Sequence, residues 1–400
     1  MPGFELFGDE EKKQVLDVLD TGVLFRYEFG DQRQGIYKVK EFEEKFAAYT
    51  GSGYAQAVSS GSAALKVALK ALGIGPGDEV ITQGFTFVAT WEAIFEVGAL
   101  PVFTEVDSTL NMDPEDLKKK ISPKTRCIIP VHMLGSAARI DDIAKIGARA
   151  GIPVLEDAAQ AAGCRINGKH LGTFGTCGTF SFDSVKTLTT GEGGMIITDD
   201  QTLWQDMSEY HDHGHDHIAN PGGRGGEGRR FVGFNYRMME LQGAIGIAQL
   251  AKLDSMVNAQ QAHKVRIKET ARLIPGVTFR TQMDDSGDSA SFFAFMLQDR
   301  EQRIRVNKVL KENGAEAICF AENTWHYFPQ WEHLLGGLSL TKGGWPFIDP
   351  ANKKRVVFDP QSLPQSTALL ERTLIYPISI KMAEEKMQSI ENALKKAVSV

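Results

Sequence analysis

The stretch YAQAVSSGSAALKVALKALGIGPGDEVITQGFTFVATWEAIFEVG, residues 54–98, alternates short apolar runs with segments whose apolar residues recur at helical spacing. The same alternation continues to residue 161 through the runs PVFTEVD, RCIIPVHM, DDIAKIGARAG and PVLEDAAQA. Alternation of this kind is typical of right-handed crossover units around a mostly parallel sheet. The sequence therefore predicts an α/β fold in which ligands gather at the carboxyl ends of the strands.

The later part of the chain predicts a second, smaller unit. Two more apolar runs, GTFSF and GMIITDD, flank the segment DSVKTLTTGEGG, and a long helical pattern follows from about residue 238 to residue 273. The remainder has the mixed pattern of an α+β unit. We expect a large domain over residues 1–255, with a mostly parallel mixed sheet flanked by helices, and a small C-terminal domain over residues 256–400.

Composition and charge argue against several classes of protein. The 400 residues are 42% hydrophobic and 24% charged, as is typical of a folded globular chain. The net charge of -7 argues against binding to nucleic acid or to an anionic membrane, and no apolar run reaches the roughly 18 residues of a membrane span. The four cysteines show no CxxC spacing and the N-terminus has no signal-peptide pattern. We expect a cytoplasmic protein without a metal site or a disulfide framework.

The segment SSGSAAL, residues 59–65, ends an apolar run and opens a strongly helical stretch. A helix start presents backbone N–H groups and a helix dipole, and together with serine hydroxyls it can bind a phosphate group. A serine that caps the helix, with a glycine in the turn, would give the same pattern. Both interpretations stay open on this segment alone.

Asp157 and Lys186 are the two candidates for chemistry at the sheet. Asp157 closes a strand of buried character, where a carboxylate needs a partner such as a protonated pyridine nitrogen; capping of the next helix is the alternative. Lys186 lies in a loop between two strand-like runs and precedes the turn GEGG at residues 191–194. A lysine amine can form a Schiff base with an aldehyde cofactor and can carry protons. A loop lysine by itself is more often simply solvated, so the surrounding motifs decide between the two.

Five motifs follow one another along the chain: SSGSAAL, GFTFVAT, VLEDAAQA, FSFDSVKTLTTGEGGMIITDD and GFNYRMMELQGAIGIAQL. This ordered set resembles the DegT/DnrJ/EryC1/StrS-type sugar aminotransferases, a fold type I family that uses pyridoxal 5'-phosphate (PLP) to aminate keto sugars. The resemblance runs from about Phe7 to the final residues, and the lysine segment with its TTGEGG tail is its most specific part. It implies fold type I, PLP as the cofactor and transamination as the reaction.

The resemblance implies roles for the residues at the phosphate end of PLP. Gly61 and Ser62 would bind the phosphate at the helix start, and Ser181 would add a hydroxyl group. Asn235, in GFNYRM, matches a residue that reaches the phosphate in the neighbouring subunit. The implied active unit is therefore a homodimer with shared active sites.

The resemblance also implies roles around the pyridine ring. Phe87 would stack on the ring, Asp157 would pair with the ring nitrogen, and Gln160 would donate to the phenolic oxygen. Lys186 would form the Schiff base and act as the catalytic acid and base, and its retention favours transamination over the dehydration catalysed by relatives with histidine there. The residues at 183–185, Asp-Ser-Val, depart from the His-Pro pair of most relatives, which leaves open what this loop presents to the substrate.

The segments MPGFELFG, FSFDSVKT, DHGHDH, FNYRM and WHYFPQWEHL are similar to one branch of this family. That branch transfers the amino group of glutamate to the C8 aldehyde of 8-oxo-3,8-dideoxy-manno-octulosonate, a keto sugar acid, and yields 8-amino-3,8-dideoxy-octulosonate for lipopolysaccharide. One alternative is an aminotransferase for a nucleotide-linked keto-deoxy-hexose. Another, from a different class, is a PLP-binding regulatory protein without turnover.

Three arginines are candidates for binding a substrate carboxylate. Arg224, Arg229 and Arg230 lie in the Gly-rich segment NPGGRGGEGRR, residues 220–230. A guanidinium group matches a carboxylate bidentately. Ordinary solvated arginines are the alternative for each of them.

The His-rich segment at residues 211–217 and the aromatic segment at residues 325–327 stay open. A metal site in the first is not favoured, because ligands that alternate along an extended segment point to opposite sides; His213 and His215 are candidates for substrate contacts instead. Trp325-His326-Tyr327 is a candidate for the sugar pocket or, alternatively, for part of the core of the small domain.

Overall fold

The computed structural model describes residues 3–217, 229–348 and 353–399. Its strands, in chain order, are β1 Tyr54–Val58, β2 Glu79–Gln83, β3 Leu100–Thr104, β4 Thr125–Ile129, β5 Leu155–Asp157, β6 Arg165–Ile166, β7 Lys169–His170, β8 Cys177–Ser181, β9 Gly194–Thr198, β10 Thr278–Phe279, β11 Phe292–Met296 and β12 Thr373–Pro377.

Seven of these strands form one layer. The ladder β1-β9-β8-β5 and the ladder β3-β2-β4 are joined by parallel bridges from Ile128 to Val154 and from Val131 to Asp157. The order across the layer is therefore β1-β9-β8-β5-β4-β2-β3. Strand β9 is antiparallel to both its neighbours, and the other pairs are parallel. The predicted α/β class with a mostly parallel mixed sheet is confirmed.

Helices cover this layer and build the rest of the chain. They are α1 Asp9–Thr21, α2 Gly30–Arg33, α3 Lys38–Thr50, α4 Gly61–Ala71, α5 Val88–Glu96, α6 Pro114–Lys120, α7 Ile140–Ala150, α8 Gln201–Tyr210, α9 Glu240–Ala271, α10 Arg300–Glu312, α11 Glu332–Leu335, α12 Pro364–Leu370 and α13 Glu384–Lys396. Short 3-10 turns lie at Gly3–Leu6, Met133–Gly135, Phe320–Glu322, Phe328–Gln330 and Ala397–Ser399. None of the helices in the described ranges is long and apolar enough to cross a bilayer.

Both faces of the seven-stranded layer are buried. Successive strand residues point to opposite faces, and Val80 packs in the cluster with helices α4, α5 and α8, while the adjacent Ile81 packs in the cluster with α3, α7 and α9. Ile196 and Ile197 divide in the same way. Burial on both faces explains why these strands are continuous apolar runs.

Helix α9 forms close to the limits predicted from the sequence. It begins at Glu240 and ends at Ala271, and a Cβ atom at Gly243 would lie 2.6 Å from the Val39 nitrogen, so glycine lets α9 approach α3 closely. Beyond α9, strands β10, β11 and β12 form an antiparallel sheet with its own apolar cluster. The division between residues 1–255 and 256–400 falls inside α9 and stays a prediction.

Strand β5 carries a buried carboxylate that the sequence did not single out. Glu156 is fully buried, and its two oxygens accept hydrogen bonds from the backbone N–H groups of Gly172 (2.8 Å), Phe174 (2.6 Å) and Gly175 (2.7 Å). The His132 Nε2 atom lies 2.9 Å from the same carboxylate. Glu156 therefore joins the segment before β8 to the strand that carries Asp157.

Glu156→Gln tests this network. The amide group of glutamine would face backbone donors with a donor of its own, so we expect the free energy of unfolding to fall by about 2 to 4 kcal/mol. Urea denaturation of the cofactor-free protein measures it. The matched control is Glu44→Gln, at an exposed helix position; equal effects of the two substitutions would contradict a structural role for Glu156.

Candidate active site

One cavity of about 250 Å³ lies at the carboxyl ends of the strands. It is reached by the segments that follow β1, β2, β4, β5 and β8, as the α/β architecture predicts. Seven of the eight residues predicted to bind the cofactor line it: Gly61, Ser62, Phe87, Asp157, Gln160, Ser181 and Lys186. The structure thus brings together residues that are up to 125 positions apart in the sequence.

The start of helix α4 forms one end of the cavity. The Ser60 hydroxyl accepts a hydrogen bond from the Ala63 N–H (3.0 Å) and caps the helix. The segment therefore caps the helix and also lines the cavity. A Cβ atom at Gly61 would lie 2.6 Å from the Ser181 Cβ and 3.0 Å from its Oγ. Because residue 61 is glycine, the Ser181 hydroxyl can approach the helix start. Backbone N–H groups and hydroxyls are thereby concentrated at one point.

Asp157 lines the cavity at the end of β5. Its side chain accepts hydrogen bonds from the Thr90 hydroxyl (2.8 Å) and from the Ala159 N–H (3.1 Å). Burial raises the pKa of Asp157 above its usual value, although these two donors act in the opposite direction. A cation beside the carboxylate would relieve the cost of burial.

The side-chain amide of Gln160 has a defined orientation. Its Oε1 atom accepts a hydrogen bond from the Leu134 N–H at 2.8 Å. Since the backbone N–H group can only donate, the amide oxygen must be on that side. The Nε2 group is then the end that can donate to a ligand in the cavity.

Aromatic rings line another part of the cavity. Phe87 precedes helix α5, and its ring is nearly parallel to that of Trp325, with an interplanar angle of 7° and centroids 6.0 Å apart. The His326 ring lies 5.3 Å from the Phe87 ring and also lines the cavity. Tyr327 is instead buried in the core. Of residues 325–327, His326 therefore lines the cavity, whereas Tyr327 belongs to the core.

Lys186 lies in a loop whose backbone is fixed at two points. Its N–H donates to the Asp183 carbonyl (2.9 Å), and its carbonyl accepts from the Gly3 N–H (2.8 Å). Burial lowers the pKa of the Lys186 amine below its usual value, and the carboxylates of Asp183 and Asp157 oppose the shift only in part. A neutral amine is the form that can act as a nucleophile or accept a proton.

A family model described as the DegT/DnrJ/EryC1/StrS aminotransferase family matches residues 7–341. The chain belongs to this family. It is 32% identical over 398 residues to the spore coat polysaccharide biosynthesis protein SpsC of Bacillus subtilis (strain 168), with 98% of this chain and 95% of that protein covered. It is a PLP-dependent sugar aminotransferase of fold type I, as the motifs predicted.

Solved structures of aminotransferases resemble it over nearly the full chain. The aminotransferase from Psychrobacter cryohalolentis matches with a TM-score of 0.82 at 26% identity, covering 98% of this chain and 97% of that one. DesV of S. venezuelae, solved in complex with a ketimine intermediate, matches with a TM-score of 0.76 at 28% identity, covering 98% and 95%.

The residues of the cavity fit PLP. The close approach of Ser181 to the start of α4 supplies donors for a phosphate, and the Gln160 amide supplies one for a phenolic oxygen. Asp157 is a buried carboxylate without a cation among its hydrogen-bond donors, which suits a protonated ring nitrogen. These assignments of individual residues to PLP remain predictions.

Asn235, the eighth predicted residue, does not line the cavity of its own chain. Its Oδ1 atom accepts a hydrogen bond from the Arg237 N–H (3.2 Å), and its backbone forms a bridge to Asp212. Of the candidate arginines, Arg230 forms ion pairs with Glu209 (2.8 Å) and Asp206 (2.7 Å). Arg224 lies outside the described residues.

The His-rich segment is not extended, although its alternating His and Asp residues predicted an extended segment. Residues 211–217 form turns after α8. His211 and His217 are buried: His211 contacts the Tyr27 hydroxyl (3.1 Å) and the Gln56 amide (3.2 Å), and His217 contacts Asp212 (3.1 Å). Within the described ranges, no group of three potential ligands has a metal-binding arrangement.

His213 and His215 differ from these two buried histidines. His213 is exposed and His215 is half-buried, 3.4 Å from the Arg229 guanidinium. Neither lines the cavity of its own chain. Their contact with substrate stays a hypothesis.

Asp157→Asn tests the burial of this carboxylate. With its pKa raised in the folded state, the ionised group destabilises the cofactor-free protein at a pH above that raised pKa. The effect fades as the pH falls toward the unfolded-state pKa, because the group is then protonated in both states. We therefore expect cofactor-free Asp157→Asn to melt at a higher temperature than wild type near about pH 8, with a smaller difference near about pH 5.

Melting curves of the cofactor-free proteins measure this, and Asp31→Asn, at an exposed position, is the control. Addition of PLP should reverse the order, since only the carboxylate can pair with a ring cation. A lower melting temperature of cofactor-free Asp157→Asn at every pH would contradict this account.

Proposed function

We propose that this enzyme transfers the amino group of glutamate to the C8 aldehyde of 8-oxo-3,8-dideoxy-manno-octulosonate, in lipopolysaccharide biosynthesis. The observation that carries the transaminase chemistry is the single cavity that holds Lys186 and Asp157 beside the start of α4. The choice of the octulosonate as acceptor rests on the segments that are similar to this branch. Two of them, at residues 180–187 and 325–334, contribute residues to the cavity.

The proposed mechanism divides the work among the side chains of the cavity. Bound PLP supplies an aldehyde that carries the amino group and a ring that accepts electrons. The Lys186 amine, whose pKa is lowered by burial, would in its unprotonated form take the proton from Cα of glutamate and pass it to the cofactor carbon. In the sugar half-reaction it would carry a proton from that carbon to the sugar carbon that receives the amino group. Asp157 would hold the proton on the ring nitrogen, and Phe87 would orient the ring by stacking on it.

A homodimer with shared active sites is part of the proposal. Asn235 does not line the cavity of its own chain, and we propose that it reaches the cavity of a second copy. The flanking apolar side chains Val232 and Phe234 are 79% and 52% exposed, which supports an interface there. Both substrates carry a carboxylate, and within the described residues no arginine lines the cavity. We propose that the second copy supplies the cationic side chain that pairs with this carboxylate.

A cytoplasmic location also belongs to the proposal. The four cysteines are unpaired thiols, and all are buried. Chains that work in a reducing compartment keep their thiols in this form.

The alternative acceptor is a nucleotide-linked keto-deoxy-hexose. It stays open because the family match over residues 7–341 covers the five motifs but does not distinguish between the two acceptors.

The two acceptors can be separated in a half-reaction. The enzyme is first converted to its aminated form with glutamate and freed of excess donor by gel filtration. We expect 8-oxo-3,8-dideoxy-manno-octulosonate to restore the visible absorbance of the PLP form, and a dTDP-linked 4-keto-6-deoxyhexose to leave the spectrum unchanged. If only the nucleotide-linked sugar restores the absorbance, the octulosonate is not the acceptor, but the enzyme is still a transaminase.

A further inference from the structure

His326 is fixed at the cavity by a pairing of two distant segments. The Thr86 N–H donates to the His326 carbonyl (2.9 Å), and the Val88 N–H donates to the Trp325 carbonyl (3.0 Å). These bonds place His326 beside the residue predicted to stack on PLP, Phe87. The position of the histidine relative to the cofactor site is therefore set by backbone hydrogen bonds rather than by a free loop.

The protonation of the His326 ring is determined by Asn323. The Asn323 Oδ1 atom accepts a hydrogen bond from the Trp325 N–H (2.9 Å), so this atom is the amide oxygen and cannot donate. The His326 Nδ1 atom lies 2.9 Å from the same oxygen. Nδ1 must therefore carry the hydrogen, and in the neutral ring Nε2 is left as an acceptor.

The ring is neutral and its free acceptor is accessible. Burial, assisted by the positive charge of Lys186, lowers the pKa of His326 to about 4. Phe320 packs edge-on against the ring, with centroids 5.0 Å apart, and Phe87 contacts the same ring at 5.3 Å. Nε2 has no hydrogen-bond partner among the described residues and is not enclosed by protein atoms. Nε2 is therefore accessible, and its ring is one of the groups that line the cavity.

We propose that the Nε2 atom of His326 accepts a hydrogen bond from a hydroxyl group of the acceptor sugar and makes His326 a specificity-determining residue of the sugar half-reaction. A sugar offers hydroxyl donors next to its carbonyl carbon. Apart from the amino group that reacts with the cofactor, glutamate offers only carboxylates, which are acceptors and cannot use this atom. The inference rests on a sugar as the acceptor, and it holds for the octulosonate and for a nucleotide-linked sugar alike.

The contribution of Nε2 can be measured by comparing His326→Phe with His326→Gln. Phenylalanine keeps the ring and removes the acceptor, whereas the Oε1 atom of glutamine can take the place of Nε2. We expect His326→Phe to lower kcat/KM of the sugar half-reaction about 10- to 100-fold, because a polar group of the sugar loses its partner. His326→Gln should lose no more than about fivefold, and both should keep the rate of the glutamate half-reaction within about twofold.

The half-reactions are followed by the absorbance of the PLP form, with whichever acceptor restores that absorbance in wild type. The control is His333→Gln, a half-exposed histidine of the same segment that lies outside the cavity lining; it should leave both rates unchanged. Equal losses of His326→Phe in the two half-reactions would reject the proposal, and so would an unchanged sugar half-reaction. If only the nucleotide-linked sugar restores the absorbance of wild type, the proposed octulosonate acceptor is wrong. The test of His326 is then carried out with the nucleotide-linked sugar.

A spectroscopic measurement tests the tautomer without any acceptor. In protein labelled with ¹⁵N-histidine, the signals of residue 326 are those missing from His326→Gln. At neutral pH we expect a neutral ring protonated at Nδ1, and we expect Asn323→Ala to shift population to the other tautomer. A wild-type ring protonated at Nε2, or a charged ring, would overturn the proposal even if His326→Phe does not fold.

Discussion

The cost of burying two ionisable groups in one cavity determines what this site can bind. Burial raises the pKa of Asp157 and lowers that of Lys186, so each group loses part of its tendency to be charged. Neither cost is removed by the partners that the chain itself provides. A ligand with a cationic ring nitrogen and an aldehyde would satisfy the carboxylate and the amine together.

The scaffold gives the two adjacent carboxylates of β5 different roles. Glu156 and Asp157 are neighbours on β5 and therefore point to opposite sides of the strand. Glu156 accepts three backbone hydrogen bonds behind the sheet, whereas Asp157 accepts one hydroxyl and one N–H at the cavity. One carboxylate thus holds the segments before β8 in place, and the other remains available to a ligand.

The motifs predicted the fold class, the family, the cofactor and the limits of helix α9 from local patterns, because apolar periodicity and helix-start chemistry are local signals. The shared cavity of Lys186 and Asp157 followed from the motifs only as a set, since a lone loop lysine has no distinguishing sequence. Thr90, which donates to Asp157, belongs to the motif GFTFVAT, but nothing in the motif marks it as a hydrogen-bond donor to that carboxylate. The alternation of His and Asp at 211–217 suggested an extended segment, whereas turns and burial dominate there.

The role of His326 could not have been predicted in the same way. Its position depends on hydrogen bonds to residues 86–88, which lie more than 230 positions earlier in the chain. The contacts of Glu156 with residues 172–175 are likewise tertiary. Pairings at this separation carry no local pattern. The sequence therefore offered residues 325–327 as a candidate for the sugar pocket or the core, but it could not single out His326 or Glu156.

The central claim is that Lys186 carries PLP in this cavity, and reduction of the purified enzyme with borohydride tests it most directly. The reagent fixes any Schiff base to its lysine, and peptide mass spectrometry then locates the added group. The account predicts a phosphopyridoxyl group on the peptide that contains Lys186 and on no other peptide. A modified lysine elsewhere, with Lys186 unmodified, would contradict it.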